Sequence, residues 1–378
     1  LYIALVDTQT TGNIIIPESY NGKIISKIGD EAFADCLISG VILPETITEI
    51  GQQAFSNCHF LESINLENIL TVGARAFRSC QSLKYVNMPL VKELPWAVFS
   101  SCGNLKMADL SGVIEIGQDV FNECYELEKV ICPNLKILDA AFKETISLKS
   151  VDTKNVVKII GNAFIYSKSI EELYFPNLET ITSGGVFSAC PSLKKVVIGE
   201  KFKDYVVDIQ LDLVDWSYYN VPIYGYRGSK AEEWALSCVN YNNTQHWDFV
   251  AIDEIDELTL TKDLSNEVET EVDSRLVLSV EASGIGLSYQ WYLSDNNRSS
   301  GTKIEGATEN QYIVDTKTAG TFNYYVEVRD WKDEFVLSQT CEVTIVETEE
   351  PKATVEISVT SGLHITTSKE GNNSVEEG

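Results

Sequence analysis

Phenylalanine returns along the first half of this chain at a nearly fixed interval. Phe33, Phe55, Phe77, Phe99, Phe121, Phe142, Phe164 and Phe187 are 21 to 23 residues apart. A small residue, Ala or Val, precedes each one. Three residues after the Phe stands Cys36, Cys58, Cys80, Cys102, Cys124 or Cys190, replaced by Thr145 and Ser167 in two units. From the second unit on, Leu or Ile follows at six residues, as in Leu61, Leu83 and Ile170, and opens an alternating run. Leu61-Glu62-Ser63-Ile64-Asn65-Leu66 is one such run, and it predicts a half-buried strand. Pro44, Pro89, Pro133 and Pro176 close several strands, and pairs such as Ile50-Gly51 or Ile160-Gly161 precede the next Ala-Phe. A unit this short cannot bury its own apolar face. Stacked units can, with Phe on Phe and Leu on Leu, so the spacing predicts a solenoid.

The unit length lies in the ~20 to 29 range of leucine-rich repeats, far from the ~34 of helical pairs. Written as Cys-x-x-Leu-x-x-Val-x-Leu-Pro followed by Ile-Gly-x-x-Ala-Phe, it resembles the repeat of the BspA-like leucine-rich repeat surface proteins of bacteria. The resemblance covers about two thirds of the chain. It implies about eight coils of 21–23 residues with N- and C-terminal caps, export to a bacterial surface or medium, and adhesion or binding of a host or neighbouring-cell protein.

Residues 1–27, with apolar segments at Leu1–Val6 and Asn13–Pro17 and a turn at Asn21-Gly22, read as a hairpin-like cap. At the other end Ser229 and Glu232 form a capping box. Ala231, Trp234, Ala235 and Cys238 then give one apolar face, so a short helix is expected to seal the repeat. The aromatic stretch with Trp216, Tyr218 and Tyr219 lies just before it. One unit departs from the pattern: Leu94-Pro95-Trp96 stands where others have Ile-Gly, and Trp96 is read as a packed structural side chain, with an exposed binding residue as the alternative.

Asp253-Glu254-Ile255-Asp256-Glu257 is a charged junction, beyond which strand alternation replaces the repeat. Strands are expected at Leu258–Leu260, Leu276–Val280, Leu287–Tyr292, Tyr312–Val314, Thr321–Val328 and Cys341–Val346. This pattern resembles the bacterial immunoglobulin-like domains, with Trp291 as core tryptophan and Val280 and Tyr324 where the inter-sheet cysteines of that fold would stand. The expected fold is thus mostly β, a leucine-rich repeat solenoid followed by an immunoglobulin-like β-sandwich. Its parts are 1–253 for the solenoid with caps, 254–349 for the sandwich and 350–378 for the start of a further β domain.

The net charge of −27 is uneven, since residues 253–378 hold 26 acidic against 9 basic side chains. Such a field repels phosphate backbones and anionic lipids, so neither nucleic acid nor a membrane surface is an expected partner, and no run suits direct membrane insertion. Six of nine Cys sit at one coil position and read as small buried apolar residues. No Cys-x-x-Cys occurs, and His59, His246 and His364 are scattered, so no metal, cofactor or catalytic residue is expected. Asn242-Asn243-Thr244, Asn297-Arg298-Ser299 and Asn372-Asn373-Ser374 match the glycosylation pattern weakly.

The candidate binding surface is the ladder of outward strand residues: Ser63/Asn65, Tyr85/Asn87, Met107/Asp109, Lys129/Ile131, Ser150/Asp152, Glu172/Tyr174 and Lys195/Val197. The expected partner of this monomer is an extracellular protein or glycan. Two other readings stay open: a structural spacer that presents a module outside this chain, and carbohydrate capture with Tyr85 and Tyr174 as stacking platforms.

Overall fold

A computed structural model describes residues 1–4, 6–183, 185–206, 222–237, 248–253, 255, 257–294, 301–347, 363–367 and 373–377. Trp216, Tyr218, Tyr219, Cys238, His246, the whole of the first two glycosylation patterns and Asn372 of the third lie outside the described residues, as does most of 350–378. The chain divides into two compact units. The first is Leu1–Lys262 with Glu281–Tyr289 and Glu327–Leu337; the second is Asp263–Val280, Gln290–Val326 and Ser338–Gly378.

The first unit is a right-through stack of parallel strands with two strands per coil. One ladder runs through Thr11–Ile15, Leu37–Ile42 and Ser63–Ile64, then Tyr85–Asn87 to Ser150–Val151, then Glu172–Phe175 to Phe249–Ala251. The second ladder has a four-stranded sheet, Tyr2–Ile3 to Thr71–Val72, and a six-stranded one, Glu93–Leu94 to Asp204–Tyr205. That makes about ten turns, not the eight that the Phe spacing marks, because both ends wind on without the Phe. Tyr2–Ile3 pairs parallel with Lys27–Ile28, and Thr11–Ile15 parallel with Leu37–Ile42. The first 27 residues are therefore a coil and not a hairpin. The hairpin is confined to Ser19–Tyr20 and Lys23–Ile24 around Asn21 and Gly22, both at positive φ. The second ladder escapes sequence reading because strands of two residues, such as Glu49–Ile50, are too short to alternate.

The eight phenylalanines form one column, with successive ring centroids 5.1 to 6.0 Å apart and planes within 12° of parallel up to Phe142, opening to 21° and 26° in the last two pairs. Each such pair contributes of order 0.5–1.5 kcal/mol beyond area burial. At the C-terminal end the helix Lys230–Ser237 turns Ala231, Trp234 and Ala235 inward. Trp234 meets Phe187 edge-on at 6.3 Å and ends the column. Its capping interactions are Ser229 Oγ accepting from Glu232 N and Glu232 Oε2 accepting from Gly228 N.

The Phe turns are bonded to one another through the backbone. In the six turns from Phe33 to Phe142 the residues two before and two after the Phe take positive φ, as Gln53 (54°) and Asn57 (61°) or Arg75 (59°) and Ser79 (61°) show. This alternation aims successive amides the same way. Gln53 N–H donates to Ala74 O at 3.0 Å, Phe55 to Ala76 at 2.8 Å and Asn57 to Arg78 at 2.8 Å, always into the following coil. At the first coil Val6 N–H supplies the missing donor to Ala32 O, at 2.7 Å.

The cysteine column does more than fill space. Cys58 Sγ donates to Phe33 O at 2.9 Å, and Cys80, Cys102 and Cys124 donate to Phe55, Phe77 and Phe99 at 3.1 Å. Ser167 Oγ and Thr145 Oγ1 both donate to Phe142 O, at 2.9 and 2.7 Å. The position wants a small buried donor, which corrects the purely apolar reading. The signal was present, since both substitutes keep an O–H. All eight described cysteines are free and buried. Burial pushes the thiols up, to about 12 at Cys58, Cys102 and Cys190, and higher than the usual range at Cys80 and Cys124.

Glycine holds the second ladder together by its size. A Cβ at Gly73 would lie 2.3 Å from Gln52 N, and one at Gly51 2.6 Å from Asp30 N. Gly51, Gly73 and Gly117 N–H donate to Ile28, Ile50 and Leu94 O at 2.8 to 2.9 Å. Pro95 has no N–H to give Val72, and the ladder is interrupted there, between Thr71–Val72 and Glu93–Leu94.

In the second unit Glu267–Glu271 lies parallel to Cys341–Val346, and Phe322 pairs antiparallel with Val343. Leu278 pairs with Tyr312, and Tyr292 with Lys303. Trp291 is fully buried, donates its indole N–H to Glu309 O at 2.8 Å, and lies 5.6 Å from the Tyr312 ring. Val280 and Tyr324 are also buried. The strands Glu267–Glu271 and Thr302–Lys303, and in the first unit Glu281–Ser283 and Phe335–Leu337, were not expected from the sequence.

Two outcomes follow. Cys80→Ser, which keeps the donor, should destabilise less in urea denaturation than Cys80→Val, which removes it and overpacks at a cost of roughly 1–3 kcal/mol. Because the thiol pKa values are raised, the thiolate is scarce below the folded value. The described thiols should therefore stay silent to a thiol reagent at pH 8 in the native protein and react once it is unfolded.

Candidate functional site

The outward positions of the first ladder come into register as the repeat demands. Tyr85 faces Met107, Met107 faces Lys129 and Lys129 faces Ser150, while Asn87 faces Asp109 and Asp109 faces Ile131. Between them Val86, Ala108 and Val130 point into the core. Alternation thus places each side chain, and the coil rise of about 4.8 Å spaces them.

The structure separates these residues by what they do within the fold. Asn65 is tied to the preceding coil: Leu43 N donates to its Oδ1 at 2.7 Å and its Nδ2 donates to Leu43 O at 2.9 Å. Asp152 Oδ2 accepts from Cys132 N at 2.9 Å, and Asp109 Oδ1 accepts from Ser111 N at 3.1 Å. In the first two cases a side chain takes the place of a strand bond between coils.

Glu172, Tyr174 and Lys195 form a second group. The Tyr174 hydroxyl donates to Glu172, and Lys195 Nζ lies 5.8 Å from the Tyr174 ring and 5.1 Å from the Tyr224 ring. Tyr174 is half-buried. It packs with Tyr224 and Tyr226 against Val197, Ile252, Ile285 and Trp331, all within the first unit. Burial, then the Glu172 carboxylate, pushes the Tyr174 hydroxyl up. Val197 is fully buried here, so its outward reading is corrected: Ile252, Ile285 and Trp331 cover it.

Ser63, Tyr85, Asn87, Met107, Lys129 and Ser150 remain. Their side chains make no hydrogen bond or ion pair among the described residues, and Tyr85 is 59% exposed. Tyr85 and Tyr174 are four coils apart, roughly 19 Å along the stack. The row beside these strands is charged, with Lys149 Nζ 2.7 Å from Glu128 and Lys194 Nζ 2.8 Å from Glu171. The bond from Lys149 holds the Glu128 carboxyl below its ordinary range.

One feature was missed and one open reading is decided. Ile15 and Ile42, register partners 73% and 55% exposed, extend the outer row toward the N-terminus, where the irregular first unit obscured them. Trp96 is 45% exposed, with the Arg75 guanidinium 3.8 Å above its ring, and so is not a packed core residue. Among the described residues no three His, Cys, Asp or Glu side chains gather as a metal site, and no helix is long and apolar enough to cross a membrane.

The repeat matches the model of the BspA type leucine-rich repeat region over residues 7–106 and 92–206, more than half of the chain. The chain belongs to this family. Among solved structures it is similar to the leucine-rich repeat protein TpLRR of T. pallidum, at 27% identity over 48% of this chain and 77% of that one, with a TM-score of 0.38. A leucine-rich repeat protein from Bacteroides ovatus matches at 24% identity over 60% and 73%, TM-score 0.35. A leucine rich cell surface protein from Faecalibacterium prausnitzii matches at 20% over 59% and 86%, TM-score 0.25. These superpositions are partial, and the family assignment of this BspA-type chain rests on the repeat itself. No curated protein matches it.

The division of labour along the ladder is measurable. Asn65→Ala and Asp152→Ala should each lower stability by about 1–3 kcal/mol, because each strands a backbone group that it now satisfies. Asn87→Ala and Ser150→Ala should change the denaturation midpoint little.

Proposed function

We propose that this chain is a non-enzymatic binding protein, displayed on a bacterial surface or secreted. It recognises a protein of the host or of a neighbouring cell through the strand face of its solenoid. The observation that carries this reading is the uncommitted patch of Tyr85, Asn87, Met107 and Lys129 on three adjacent coils. Aromatic, amide, thioether and cation stand there on a rigid sheet with no structural duty. Tyr is among the residues that dominate binding hot spots, and a platform that needs no reordering binds at low entropic cost. Membership of the BspA-type family supports a recognition role.

The region 254–349 is read as an immunoglobulin-like sandwich acting as a spacer, with 350–378 opening a further β domain. The buried Trp291, Val280 and Tyr324 support that assignment, with packing in place of the inter-sheet bridge. The protein acts as a monomer, without cofactor or metal.

A screen of the full chain against immobilised extracellular-matrix proteins should give a saturable hit. Tyr85→Ala and Lys129→Ala should each weaken it by about tenfold, as loss of a hot-spot side chain does. Saturable binding untouched by both changes would sink the strand-face assignment.

A further inference from the structure

Residues 7–206, which carry the repeat, contain two arginines, Arg75 and Arg78, and one tryptophan, Trp96. Every other cation in that span is lysine. All three residues fall on two adjacent coils, beside the Phe turn and away from the strand face. Their coincidence is local and unusual for a repeat that otherwise tolerates many side chains.

The fold presents them in a particular way. Pro95 replaces the Gly of the repeat and interrupts the second ladder. Arg75 takes a positive φ of 59°, and its N–H donates to Trp96 O at 3.0 Å. Its guanidinium then lies 3.8 Å above the indole centroid. That stack holds the guanidinium plane in place. Arg75 Nε is buried without a hydrogen-bond partner, and neither Arg75 nor Arg78 forms an ion pair among the described residues. Acids near this turn are engaged elsewhere. Gln53 Nε2 donates to Glu31 and Asn57 Nδ2 to Asp35, both at 2.9 Å, while Gln118 Nε2 donates to Asp119 at 3.3 Å.

We propose that Arg75 and Trp96 form a second binding site, for a carboxylated sugar at the end of a glycan. With Nε covered, the two outer Nη groups of the oriented guanidinium are the pair that fits a carboxylate fork. The net charge of −27 disfavours an extended polyanion, so the ligand is one carboxylate on an otherwise neutral body. The neighbouring coils carry Gln53 and Gln118, whose carboxamide oxygens can accept from sugar hydroxyls while their N–H groups are held by Glu31 and Asp119. Trp96, 45% exposed, supplies the aromatic surface. This site is independent of the strand-face reading.

The test titrates the full chain with sialyllactose, with a glucuronyl-terminated disaccharide and with neutral lactose, followed by calorimetry. Saturable binding of either acidic sugar but not of lactose is expected. Arg75→Gln and Trp96→Phe should weaken it by about tenfold or more, with Arg75→Lys only partly restoring it because charge remains while fork and stack are lost. Unchanged thermal midpoints establish that the variants are folded, and Tyr85→Ala should bind the sugar as the parent does. Equal binding of lactose, no binding of either acidic sugar, or full binding by folded Arg75→Gln overturns the proposal. So does Arg75-dependent capture of a glutamate-bearing peptide when neither sugar binds, which would give the site to an acidic protein.

Discussion

Hydrogen bonds that cross from one coil to the next set the period of this protein. A coil of about 22 residues brings each amide, thiol and carboxamide to the height of its partner one turn away. Gln53, Phe55 and Asn57 find Ala74, Ala76 and Arg78, and Cys80 finds Phe55. A buried polar group without its partner costs roughly 1–3 kcal/mol, so a slip of even one residue would cost several such bonds in every coil at once. The apolar column of Phe and Leu supplies the burial, but any stack of greasy residues would do that. The crossing bonds are what make the length of each unit so constant.

The legible part of the fold was the part written as periodic side chains. Phe33 to Phe187, the cysteine marks and the strand alternation led to the coil, its core and one ladder. Ser229, Glu232, Ala231, Trp234 and Ala235 marked the closing helix. The second ladder was hidden because Thr71–Val72 and its neighbours are two-residue strands held by backbone amides and by the closeness that Gly73 permits. The ends were undercounted for a related reason, since Thr11–Ile15 and Phe249–Ala251 pair as the repeat does while lacking its side-chain signature.

The candidate site was half legible. Alternation located Tyr85, Met107 and Lys129 on one face, because outwardness is a local property of a strand. Whether an outward side chain is free depends on its neighbours in space, and these come from other coils or from far along the chain. Asn65 and Asp152 are drawn back to satisfy Leu43 and Cys132, and Tyr174 is covered by Trp331, 157 residues away. Composition alone would have drawn the eye to Arg75 and Trp96, but their stacking needs the break at Pro95 to be seen.

The one-way bonding of the Phe turns gives the solenoid a sense of direction. From the Phe33 turn to the Phe164 turn the backbone N–H groups look toward the C-terminal end and the carbonyls that receive them toward the N-terminal end, while the buried thiols donate the other way. Along the axis the peptide units add head to tail, as they do in a helix. The two caps are therefore not interchangeable. The first must offer a hydrogen, as Val6 does to Ala32, and the last must receive one. A cap moved from one end to the other would set like against like, so a chain of this kind can be lengthened by inserting whole coils but not by turning its ends around.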